Sequence, residues 1–131
     1  MAFNNLIQNA MKTPLQFLFI FLILFTGASL ANAQCPLSTA VMGNAAPCET
    51  SRQVYKIYFD NTSSPTYNWT IGGGGTVLAS RQRVFGKETL AYILVQWPVV
   101  TGGSAVPGDV TITFSGGACA KSLSVQIQDC Y

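Results

Sequence analysis

Residues 67 to 80 read YNWTIGGGGTVLAS, an alternation of apolar and polar positions that runs into a block of glycines. Glycines that cradled a phosphate would place the chain among α/β nucleotide binders, whereas glycines that only turn a corner would leave a protein built of strands. A phosphate loop needs a lysine after its glycines and a helix whose N-terminal amides face the anion. Gly72 to Gly75 are followed by TVLAS, with no lysine and no helical spacing of apolar residues, and a dinucleotide fingerprint fails on the same ground. The glycines therefore turn a corner, where positive φ costs them nothing sterically.

Working outward from that corner, the period of two recurs. Tyr67, Trp69 and Ile71 fall on one face, with Asn68 and Thr70 on the other. Val110, Ile112 and Phe114 in VTITF, and Leu123, Val125 and Ile127 in SLSVQIQ, repeat the signature, which is that of a half-buried strand. LAYILVQW, residues 90 to 97, is more continuously apolar. It predicts a central strand, either covered on both faces or carrying Ala91, Ile93, Val95 and Trp97 inward. RQVYKIYF, residues 52 to 59, predicts a further strand, and TVLAS and RQRVF a pair flanking a hairpin around Ser80 and Arg81. The clusters DNTSSP, GGGG, FGKE, TGGSAVPGD and SGGA supply the turns. Pro98 closes the strand that ends at Trp97, because proline cannot donate to a ladder. No window shows helical periodicity. Six or seven short strands separated by turns argue for an all-β antiparallel β-sandwich. Its expected core is Tyr67, Trp69, Ile71, Val95, Trp97, Val110, Ile112, Phe114, Leu123, Val125 and Ile127. Residues 35 to 48, CPLSTAVMGNAAPC, read either as a first edge strand or as coil held by its cysteines.

Residues 1 to 33 stand apart. The apolar run FLFIFLILF at 17 to 25 follows Lys12 and precedes ASLANAQ, with an A-x-A site at Ala31, Asn32 and Ala33. This is the pattern of a cleaved secretory signal peptide, and the run is shorter than the roughly 20 residues that span a bilayer. Met11, which opens MKTPLQ, is a better signal start than Met1. Gln34 precedes Cys35 where a lipoprotein signal requires a small residue. Export and trimming leave residues 34 to 131 as a single domain, secreted or at the cell surface, with no membrane span.

Cys35, Cys48, Cys119 and Cys130 all lie in that domain, and an even count in a small exported domain predicts two disulfides. Zinc would want closely paired cysteines or histidine, and the chain has no histidine. The charges of the mature part nearly balance, which argues against nucleic acid as a partner. Arg81 and Arg83 read as a solvated strand or hairpin. Without histidine there is no Ser-His-Asp or Cys-His arrangement, and the scattered acids suggest no glycosidase pair. The expectation is a protein that is not an enzyme and takes no cofactor or metal.

In its order of motifs (VYKIYFDNTSSPTYNWTIGGGGTVLAS, then ILVQWPVV, then GDVTITFSGGACAKSLSVQI) the chain resembles the PKD-like, immunoglobulin-like repeats of exported Bacteroidetes-type surface proteins. Tyr67 and Trp69 match the Tyr-x-Trp strand of those repeats, Val95 and Trp97 the Val-x-Trp strand, and Cys119 the cysteine-containing turn. The likeness spans about Cys48 to Ile127. It implies an immunoglobulin-like sandwich of about seven strands, disulfide-stabilised, with a non-catalytic role in protein interaction, adhesion or structural assembly. The acidic, glycine-containing stretch that PKD domains carry after their tryptophan is absent, so no cation site is carried over.

Three disulfide pairings stay open. Simple alternation of strand direction gives Cys35 with Cys119 and Cys48 with Cys130. The resemblance implies Cys48 with Cys119, leaving Cys35 with Cys130, and local closure would join Cys35 to Cys48 and Cys119 to Cys130. The partner is a protein or glycan at the cell surface, or a further copy of the chain. A different class of function, a small carbohydrate-binding module, draws on the aromatic supply. Its candidate ligand-binding residues are Tyr55, out of phase with Val54, and Tyr92. Exposed coplanar aromatics favour the sugar binder, and a flat unprotected edge strand favours assembly.

Overall fold

In the computed structural model, which describes residues 35–114 and 119–131, six strands succeed one another. They are β1 (Arg52–Asp60), β2 (Tyr67–Ile71), β3 (Thr76–Phe85), β4 (Glu88–Gln96), β5 (Val106–Phe114) and β6 (Cys119–Ile127). Two antiparallel sheets result, one in the order β1-β4-β3 and the other β2-β5-β6. The leader expected over residues 1 to 33, the alternative start at Met11 and the turn expected at SGGA lie outside the described residues.

Six strands stand in place of about seven, and two sequence expectations explain the difference. The leading segment is coil with isolated bridges, Ser38 and Met42 to β1 and Cys48 in parallel to Gln128. Its small residues and prolines make contact without sustaining a ladder. The hairpin expected around Ser80 and Arg81 does not form. β3 runs through both residues and pairs with β4 from Thr76 opposite Gln96 to Phe85 opposite Glu88, with one register shift between Val77 and Ala79. Nothing between TVLAS and RQRVF supplies turn chemistry. The chain reverses instead at Gly86, which has a φ of 59°.

The sheets meet across one apolar core. Tyr55, Ile57 and Phe59 of β1 and Ala91, Ile93 and Val95 of β4 face Val110, Ile112 and Phe114 of β5 and Val125 and Ile127 of β6, and all are buried. Phe59 packs against Phe114 with ring centroids 5.0 Å apart and against Tyr67 at 5.4 Å. Of the expected core, Val95, Trp97, Val110, Ile112, Phe114, Val125 and Ile127 are buried, while Tyr67, Trp69, Ile71 and Leu123 are partly buried against it. Three of these four belong to β2, a five-residue strand at the sheet's edge.

Tyr55 corrects the sequence reading. Expected at the surface, it is 0% exposed and lies opposite Ile93. It is Val54 that points outward. The Tyr55 ring is accommodated because its hydroxyl is satisfied inside. The hydroxyl donates to the Asn44 carbonyl at 2.9 Å and accepts from Trp97 Nε1–H at 3.0 Å, while the two rings meet edge to face.

Residues 35 to 49 brace both sheets. Thr39 N–H donates to the Tyr58 carbonyl, Met42 and Lys56 exchange backbone bonds of 2.8 and 2.9 Å, and Asp60 N–H donates to the Leu37 carbonyl. The segment then passes to β6, where Gln126 N–H donates to the Ala45 carbonyl and Gln128 N–H to that of Pro47, each at 2.8 Å. Disulfides close both ends, Cys35 to Cys119 and Cys48 to Cys130, with Cα atoms 5.2 and 5.6 Å apart. That is the pairing given by strand alternation. The pairing implied by the resemblance is overturned, because Cys119 opens β6 whereas Cys48 lies beside Gln128 at its far end.

Candidate interaction surface

The glycine corner is structural. Gly73 and Gly74 carry φ values of 75° and 76°, in the region where a side chain is strained. A Cβ on Gly75 would come within 2.7 Å of both Ile71 and the Trp97 ring. The turn leads from β2 in one sheet to β3 in the other, packed on the core tryptophan. Among the described residues, no group of three or more His, Cys, Asp or Glu side chains is arranged to hold a metal ion. No helix among them is long and apolar enough to cross a membrane.

Two other buried polar groups bear on the site's chemistry. Glu49 is buried, and its Oε2 accepts the Val100 N–H at 2.5 Å, so this carboxylate fastens a loop. Trp69 Nε1 is buried without a hydrogen-bond partner, but its indole packs against the core. Burial pushes the hydroxyls of Tyr55 and Tyr67 above the ordinary tyrosine value of 10.0, offset in part for Tyr55 by the bond to Trp97.

The outer faces of the two sheets differ in chemistry. On the β2-β5-β6 sheet, Thr70, Thr111 and Ser122 form one row and Asn68, Thr113 and Ala120 the next. Thr111 Oγ1 lies 2.6 Å from Ser122 Oγ and donates to Asp109 Oδ2 at 2.8 Å. This face is rich in hydroxyls and carries Asp109 as its acid. On the β1-β4-β3 sheet the rows read Lys56, Tyr92, Arg81 and then Tyr58, Leu90, Arg83, with Arg52 two rows beyond Lys56. Acids enter that face only in the last row, where Asp60 and Glu88 adjoin Phe85. Tyr92, the other candidate ligand residue, lies half-buried in the cationic face.

The strand edges differ as well. Residues 35 to 49 pair with the outer edge of β1 from Lys56 to Asp60 and with the end of β6 at Gln126. β2 leaves an edge of five residues and β3 one of ten. Among the described residues, β3 makes no backbone hydrogen bond beyond its ladder with β4. It is exposed almost throughout, with Val84 at 58% and Phe85 at 53%. Its inward phase is polar at Ser80 and Gln82 and overhangs the shorter β2, where Tyr67 donates its hydroxyl to Gln82 Oε1 at 2.8 Å. Beneath Gln82 and Val84 lies a depression of about 220 Å³ that also touches Phe59, Asn61, Ser64, Pro65 and Thr89.

From sequence, Arg81 and Arg83 read only as a solvated strand or hairpin, and β3 does not stand out as the bare edge. The polar inward phase of β3 was the available signal, hidden by the expectation of a hairpin at its midpoint. No family model and no curated protein matches the chain.

Proposed function

We propose that this chain is an exported, non-catalytic β-sandwich module of immunoglobulin-like, PKD-like type that engages a partner at the cell surface, in adhesion or structural assembly. The topological part of this reading is supported by the sheet order. β1-β4-β3 facing β2-β5-β6, with a leading segment that bridges first to β1 and then in parallel to the end of β6, corresponds to a constant-type sandwich whose first strand is reduced to isolated bridges. Two disulfides are compatible with an oxidising, extracellular location.

The observation that carries the function is the free edge of β3. A long unpaired edge is a template for another chain, and natural sandwiches normally cover or shorten it. Here the leading segment pairs with half of β1 and the end of β6, and among the described residues β3, the longest strand, has no backbone partner beyond β4. A carbohydrate-binding role is less well supported, since Tyr55 belongs to the core and Tyr92 alone remains of its two candidates.

A photoreactive benzophenone side chain placed at Val84 should form a discrete covalent adduct on cells that export the protein. The same group at Thr113, on the opposite outer face, should form none. Equal yields at the two positions, or no adduct at Val84, would sink the proposal.

A further inference from the structure

We propose that the free edge of β3 takes up an extended acidic segment of a partner protein as an added strand, with its carboxylates opposite Arg81 and Arg83. The inference rests on the interaction-module reading above and specifies the partner's chemistry. Strand addition satisfies the row of N–H and C=O groups that β3 leaves unpaired, and side chains at alternate positions supply the selectivity.

Charge determines which kind of strand fits. Arg81 and Arg83 lie two residues apart on the outer face, opposite Tyr92 and Leu90. Lys56 stands in the row of Arg81, and no acidic residue shares either row. An added strand would place alternate side chains directly beside these two guanidinium groups. Opposite charges across such a pair stabilise, and like charges destabilise.

The same rule disfavours a second copy of this chain. Antiparallel pairing of two β3 edges centred on Gln82 would set Arg81 of each against Arg83 of the other, and centring on Arg81 would set that residue against itself. Acidic side chains at alternate positions remove the conflict. The intervening residues of the added strand would point to the inward side, toward Val84 and the depression it borders with Phe59 and Pro65. The favoured segment therefore alternates acidic with apolar residues.

The test uses a blocked, fluorescently labelled peptide alternating glutamate with valine, and a lysine–valine peptide of equal length, each titrated against the purified protein. The glutamate peptide should bind saturably and lose affinity as salt is raised, and it should slow amide hydrogen exchange in β3. Replacing both arginines, Arg81→Glu with Arg83→Glu, should weaken it about tenfold or more and confer binding of the lysine peptide, with the thermal midpoint unchanged. Three results would overturn the proposal: equal binding of the two peptides, protection that avoids β3, or a concentration-dependent dimer protected at β3. Binding of sodium polygalacturonate in preference to the glutamate peptide, without β3 protection, would also overturn it and assign the cationic face to an anionic glycan. If neither peptide binds while Val84 still yields its adduct, the acidic partner fails and the interaction module stands. If the adduct is missing too, both fail.

Discussion

β1 and β3 flank the same central strand, β4, and are nearly equal in length at nine and ten residues, yet one is built into the protein and the other is left at its margin. β1 sends Tyr55, Ile57 and Phe59 into the core and has its outer edge paired from Lys56 to Asp60 with the disulfide-closed leading segment. In the same phase β3 offers Ser80, Gln82 and Val84, which bury little apolar area. The contrast shows how a small sandwich divides its labour. Apolar area and cross-links are concentrated along one flank, and the opposite flank, which buries little apolar area, stays polar and unpaired.

The sharpest way to break that contrast is to cut the brace. Replacing Cys48 and Cys130 together by serine frees a link between residues 82 apart in sequence. It should cost about 2–5 kcal/mol, read as a lower denaturant midpoint. A variant as stable as the parent would mean that the brace adds nothing to the β1 flank.

A smaller effect is expected from Tyr55→Phe. The substitution keeps the buried ring but removes the hydroxyl between the Asn44 carbonyl and Trp97 Nε1, leaving both without that partner, at about 1–3 kcal/mol. It should also alter the response to alkali. Tyr55 and Tyr67 both ionise above the ordinary value of 10.0 when folded, so the unfolded chain loses these protons first. Their contribution is therefore fully present below pH 10.0 and is lost as the pH rises through the raised folded-state values. Thermal unfolding across an alkaline series should show that decline in the parent and a shallower one in Tyr55→Phe. Equal slopes would contradict the burial assigned to Tyr55.

The smallest effect belongs to β3. Arg83→Ser and Val84→Thr should each shift stability by no more than about 0.5 kcal/mol, measured in the same denaturant titrations. A loss comparable to that of Tyr55→Phe would show that β3 is as integral as β1 and would remove the basis for treating its edge as available.

Much of this contrast can be read from single segments, and some of it cannot. The glycine corner was legible because a phosphate loop has requirements that TVLAS fails to meet. The strands around Tyr67, Val95, Val110 and Leu123 were legible because period-two alternation is written into each strand locally. The phase of Tyr55 is ambiguous from sequence because Val54 and Tyr55 are both plausible inward residues when β1 is considered alone. What buries the tyrosine is a carbonyl eleven residues away and an indole 42 residues away. The continuous β3 was missed because RQRVF and TVLAS look separable until their shared partner, β4, is in view.

What the residues specified unaided is the chemistry of short windows: strands rather than helices, turns where glycine and proline cluster, and cysteines that pair rather than bind metal. Alternation, turn propensity and thiol count are properties of neighbours along the chain. Which cysteine meets which, which phase of β1 faces inward and which edge goes uncovered emerged only on assembly. Each depends on contacts between distant segments, and an edge stays bare only because the covering segment ran elsewhere.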